Sequence, residues 1–196
     1  VKHLVLAALV AISLGGFGAG SVSAQQSSPQ IRYQPDPDSP IGTRNPAGPG
    51  ALADYDFVIG NWDVEITFTP PGGQPAVYQA RWHNHWILNG LAVMQEWRGP
   101  YATGAEIRSY NAQTQRWEGE NIYPALSGGF RPTTSVRFDD RMEVVIEAAD
   151  GSGPFLNRET YIDIEADSMR MYSELSRDGG ETWQAGRYSM IMTRAD

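Results

Sequence analysis

Phe57-Val58-Ile59-Gly60-Asn61-Trp62-Asp63-Val64-Glu65-Ile66-Thr67-Phe68 is the stretch on which the fold turns. A short apolar run ends at Gly60, and strict alternation follows. Trp62, Val64, Ile66 and Phe68 face one way, while Asp63, Glu65 and Thr67 face the other. Alternation of this kind marks a half-buried strand with its apolar side on a core.

Downstream of this strand the chain keeps the same character. Turn signals recur roughly every 8–15 residues, among them Pro70-Pro71-Gly72-Gly73, Asn89-Gly90, Ser127-Gly128-Gly129, Asp150-Gly151-Ser152-Gly153 and Asp178-Gly179-Gly180. The segments between them are rich in Tyr, Trp, Val, Ile, Thr and Met, and none has a helical period. The pattern predicts an all-β, antiparallel up-and-down architecture of about 8–10 strands. A helical turn or two is expected only over 51–58. Closure into a barrel would remove two edges prone to aggregation.

Upstream, the first fifty residues read as delivery and tether. Lys2, the apolar run from Leu4 to Leu14, and Val22-Ser23-Ala24 make a secretory signal over 1–24, so a periplasmic or secreted location is expected. Residues 25–50 hold six prolines among Ser, Gln, Asp and Gly, a composition that cannot offset its ordering entropy, and predict a disordered tether. The folded domain is then 51–196. The chain has no cysteine, so its stability must come from a core and a lipid-anchored form is excluded. Fifteen basic residues stand against 23 acidic ones, and Lys2 is the only lysine. That balance, with no basic run, argues against a nucleic-acid partner. No apolar stretch after the signal is long enough for a membrane-spanning helix.

Gly60-Asn61-Trp62 at the head of the first strand resembles the G-x-W signature of the calycin superfamily, which includes lipocalins and fatty-acid-binding proteins. The chain is most similar to exported bacterial domains of unknown function that open F-x-x-G-x-W and close on an arginine-bearing last strand. The resemblance implies a lipocalin-like barrel whose Trp62 sits at the closed end under Arg194. Arg194 shares strand parity with Tyr188, Met190 and Met192. Ser176 to Trp183 also fits the S-x-D-x-G-x-T-W hairpin that resembles sialidase repeats, but it occurs once, and a single copy is a structural turn.

A hairpin at Asn89-Gly90, read as a two-residue turn, pairs Leu88 with Leu91, Trp86 with Val93, Asn84 with Gln95, and Trp82 with Trp97. All eight then share the more apolar face, which points inward. Trp82, Asn84, Trp86, Gln95 and Trp97 make an aromatic wall crossed by two amides, the candidate ligand-binding surface, with Trp117 beside it. The alternative is a filled core in which the amides satisfy each other. His83 and His85 are about 7 Å apart on one side of a strand, a spacing that two metal ligands can use. The register turns them outward with Glu96 opposite His83, and Asn89 and Gly90 stand where a cupin's glutamate would be. Neither a metal nor a cofactor is expected. The same outward facing argues against the single-histidine haem site of nitrobindin-like calycins.

No cysteine, no G-x-S-x-G and no inward histidine offers a nucleophile with its base, so no catalytic residue is assigned. Glu106, Glu118, Glu120 and Glu159 remain as carboxylates of undecided facing. If Tyr110 opposes Trp117, Glu106 and Arg108 join the interior as an acid–arginine pair; otherwise they are solvated charges outside. The expectation is thus a barrel that binds a small, largely apolar molecule. An isomerase, cyclase or hydrolase using interior Glu, Arg and Tyr is the alternative, and a filled structural barrel is a further one.

Overall fold

The structure is a computed structural model that describes residues 39–125 and 129–195. The expected signal segment and the tether up to residue 38 lie outside the described residues. Ten strands run in order: β1 Gly60–Phe68, β2 Ala76–Ile87, β3 Ala92–Arg98, β4 Thr103–Asn111, β5 Arg116–Ile122, β6 Phe130–Arg137, β7 Met142–Asp150, β8 Gly153–Ile162, β9 Ser168–Ser176 and β10 Gln184–Arg194. Each pairs antiparallel with the next, and β1 pairs with β10, so the sheet closes into an up-and-down barrel. No helix among the described residues is long and apolar enough to cross a membrane.

The interior is set by strand parity. In β1 the alternation of Trp62, Val64 and Ile66 is the alternation of burial. Neighbouring registers carry that face around the barrel: Trp62 opposes Trp82 and Arg194, and Ile66 opposes Tyr78 and Met190. The inward residues divide by chemistry. β1, β2, β7, β9 and β10 contribute the large apolar ones, including Trp62, Val64, Val144, Ile146, Met169, Met171 and Met192. β4, β5 and β6 contribute Arg108, Asn121, Thr133 and Ser135, all buried. The polar part of the interior is thus concentrated on β4 to β6, with Trp117 of β5 as its large apolar residue.

One end is plugged. A short 3₁₀ helix, Gly50–Tyr55, delivers Leu52 and Tyr55 into the core. The Tyr55 ring packs 4.5 Å from that of Trp117, and its hydroxyl shares a 2.7 Å hydrogen bond with Ser135 and accepts one from Arg108. Trp62 donates from Nε1 to the Val58 carbonyl at 2.7 Å. The Arg194 guanidinium lies 4.2 Å from the centre of the Trp62 ring and donates to the carbonyls of Ile59 and Ala166 at 2.7 and 2.9 Å. Gly60, with φ of 122°, leaves the room: a Cβ there would stand 2.5 Å from an Arg194 terminal nitrogen.

The chain packs on the barrel before position 51. The Trp86 amide, beyond the reach of β1, donates to the Ile41 carbonyl at 2.8 Å. Asn45 is buried and donates from its amide to the Gly90 carbonyl at 3.0 Å. This strap accounts for a correction to the β2–β3 hairpin. The loop has four residues, Leu88 to Leu91, with positive φ at Leu88, Asn89 and Gly90, and Leu88 points to solvent at 70% exposure instead of inward. The pairings Trp86–Val93, Asn84–Gln95 and Trp82–Trp97 are as read from the sequence.

Candidate functional site

The other end of the barrel is open to a cavity of about 340 Å³. Its apolar wall comes from Ile66, Phe68, Tyr78, Trp82, Trp97, Ile146, Phe155 and Met190. Its polar groups are Gln95, Glu106, Asn121, Tyr123, Arg131, Asn157, Glu159, Tyr161 and Tyr188. The barrel is not filled here, because the inward faces of β4, β5, β6 and β8 bring short or polar side chains where the opposite strands bring large apolar ones.

Of the six residues read from sequence as the binding wall, Trp82, Gln95 and Trp97 stand at the cavity. Asn84, Trp86 and Trp117 are buried in the plugged end instead and do not line it. Trp86 and Trp117 pack against each other at 6.5 Å, and Trp117 donates to Asp54 at 3.4 Å. The 3₁₀ helix has taken the space that the sequence reading left open to a ligand. Asn84 accepts from Gln95 Nε2 at 3.0 Å, which leaves the Asn84 amide nitrogen and the Gln95 carbonyl oxygen without partners among the described residues.

Tyr110 does oppose Trp117, so Glu106 and Arg108 face inward and form an ion pair. Gly119, opposite Arg108, makes this possible, since a Cβ there would lie 2.7 Å from the Arg108 Cβ. Glu106 Oε1 also accepts from the Thr133 hydroxyl at 2.6 Å. Burial pushes the Glu106 carboxyl up to about 8, and the charge of Glu159 adds to it; the Thr133 hydrogen bond and Arg131 pull the other way. Burial likewise lowers Arg108.

A second carboxylate stands nearby. Glu159 accepts from Tyr188 at 2.6 Å and from Tyr161 at 3.0 Å, and Tyr188 in turn accepts from Asn157 at 2.7 Å. Burial, reinforced by Glu159, raises both phenols well above the ordinary tyrosine range, so they stay protonated donors. Arg131 donates from Nε to Asn121 at 2.9 Å, and its guanidinium lies 5.7 Å from the centre of the Tyr123 ring. The sequence leaves the facing of Glu159 undecided. Nothing in the sequence gathers Tyr161 and Tyr188 on it, as the two hydrogen bonds do. The parity of Tyr188 with Met190 was the one sequence signal, and a register shift between Ala185 and Ser189 complicates even that.

His83 and His85 stack at 4.8 Å on the outer face, with Glu96 opposite His83. His83 Nδ1 is 2.6 Å from Asn61 Oδ1. No group of three or more His, Cys, Asp or Glu poised for a metal occurs among the described residues. The Ser176–Trp183 hairpin is self-contained. Asp178 accepts from the hydroxyls of Ser176 and Thr182 at 2.7 and 2.5 Å and from the Thr182 amide at 3.0 Å, and Arg158 covers the Trp183 ring at 4.1 Å.

No protein-family model and no curated protein matches the sequence. In fold the chain is similar to the crystal structure of Rv2717c from M. tuberculosis, with a TM-score of 0.52 and 14% identity over 76% of this chain and 99% of that one. A likeness at that identity concerns the fold alone.

Proposed function

We propose that the protein is an exported, calycin-like barrel, carried on an N-terminal signal and tether, that binds a small and largely apolar molecule in its open end. The observation that carries the reading is the cavity itself. At about 340 Å³ it falls within the range of small-ligand sites, and its walls are mostly aromatic and aliphatic with a few convergent polar groups. Trp82 and Trp97 flank Gln95, so a bound molecule would meet indole faces and an amide together. The test is tryptophan fluorescence under titration with apolar alcohols, ketones, amines and carboxylates, in the wild type and in Gln95→Leu. Saturable binding that the substitution weakens supports the proposal. A flat response across the panel refutes it.

A second reading has a specific observation in its favour. Glu106 is a buried carboxyl raised to about 8 in the same cavity as Glu159 and the phenols of Tyr123, Tyr161 and Tyr188. A carboxyl raised by burial, standing in the same cavity as a second carboxyl that accepts from two phenols, is an arrangement that general acid–base chemistry uses. Under this reading Glu106 serves as acid, Glu159 as base and Arg131 as a stabiliser of negative charge. Turnover of a bound panel member, lost in Glu106→Gln while binding persists, would establish it.

A further inference from the structure

Two side chains of opposite charge at the cavity stand outside the ion pairs found among the described residues. Glu159 has no ion-pair partner among the described residues, and neither has Arg131, yet both face the same space. The charges around them have closer contacts of their own, although Arg131 still acts on Glu106, and Glu159 on Arg108, at longer range. Arg108 is bound to Glu106 and Tyr55, and Asp150 at the mouth is paired with Arg177 at 2.6 Å. Arg187 also lines the cavity, and its charge acts on Asp150. Glu159 uses one lone pair on each oxygen for Tyr188 and Tyr161, so about two of a carboxylate's four acceptor sites are left. The Gln95 carbonyl oxygen, on a side chain only 4% exposed, is a further acceptor without a donor among the described residues. Arg131 uses Nε on Asn121 and stacks on Tyr123, with its two terminal nitrogens beyond that bond.

While water fills the cavity, it solvates both charges. A molecule that displaces this water with an apolar body must replace what the water supplied, or leave a charge desolvated and unpaired. An amine alone would strand Arg131, and an acid alone would strand Glu159. We propose that the cavity selects a zwitterionic or equally bifunctional small molecule: an aromatic or aliphatic body that carries a cationic donor for Glu159 and Gln95 together with an acidic acceptor for Arg131. This rests on the interior-binding reading above and narrows it to a ligand class.

The test uses three probes that share one body, namely phenylalanine, phenethylamine and hydrocinnamate, titrated calorimetrically into the wild type, Glu159→Gln and Arg131→Gln. Phenylalanine is expected to bind at least about tenfold more tightly than either singly charged probe. Glu159→Gln should remove its advantage over hydrocinnamate, and Arg131→Gln its advantage over phenethylamine. The wild-type comparison stands even if one variant folds poorly. If phenethylamine or hydrocinnamate binds as well as phenylalanine, the selection argument is overturned while interior binding survives. If none of the three binds but members of the broader panel do, the same holds. If neither set binds, the interior-binding reading falls and takes this one with it.

Discussion

Replacing Arg194 by methionine removes the charged lid of the plugged end while keeping an apolar chain over Trp62. The guanidinium sits 4.2 Å from the indole centre, and a partly desolvated cation–π contact contributes about 1–2 kcal/mol. The 2.7 Å bond to the Ile59 carbonyl adds about 1 kcal/mol net, since a side chain that is 31% exposed lets water replace part of what is lost. The contact with Asp167 adds little, because that side chain is 85% exposed. The expected loss is therefore about 2–3 kcal/mol. For a domain of this size that is a fall in Tm of roughly 5–10 °C. The assay is urea and thermal denaturation followed by tryptophan emission, with Asp167→Ala as the control that should leave the midpoint where it is. Arg194→Lys should fall between, because a point cation cannot reach two carbonyls and the ring at once. A shift for Arg194→Met of less than about 0.5 kcal/mol would show that the plug does not depend on this residue, and the energetic account of the closed end would be wrong.

Other perturbations address other parts of the barrel. Gly119→Ala should cost about 1–3 kcal/mol by thermal denaturation, since the added Cβ collides with the Ile107 carbonyl and crowds Arg108; an unchanged Tm would mean that β4 and β5 are farther apart than described. Glu106 keeps its proton to about 8 when folded, above its unfolded value, so its contribution is complete below the ordinary carboxylate range and is lost as pH rises toward 8. The stability of the wild type relative to Glu106→Gln should accordingly fall across that window, and a rise would mean that Arg108 holds the carboxylate ionised. Asp178→Ala should open the Ser176–Trp183 hairpin to limited proteolysis without unfolding the barrel; unaltered resistance would remove the aspartate from its structural role. Elemental analysis of the purified protein should find no stoichiometric zinc, iron or copper, and a metal lost in the double variant His83→Ala, His85→Ala would contradict that expectation.

What the sequence made legible was whatever depends on local parity. Trp62, Val64 and Ile66 alternate, and a strand's face follows from alternation alone. The Asn84–Gln95 and Trp82–Trp97 pairings follow from one hairpin, as does the outward facing of His83. What stayed hidden depends on contacts between distant segments. Leu88 left the inward face because the strap at Asn45 buckles the loop, and no pattern in 84–95 records the strap. Trp86 and Trp117 were lost to the plug because the 3₁₀ helix folds back across the barrel end. Glu159 meets Tyr188 only through β9, in a register that an irregularity in β10 displaces. The acid–arginine pair lay between these cases, because a single pairing, Tyr110 with Trp117, decided it.

The central claim is that the open end of the barrel holds a small molecule, and native mass spectrometry of protein purified from its own cells tests it most directly. A one-to-one adduct on the folded barrel is expected, released when the chain unfolds, with a mass small enough for a cavity of about 340 Å³. The bare polypeptide mass in every folded charge state would contradict it.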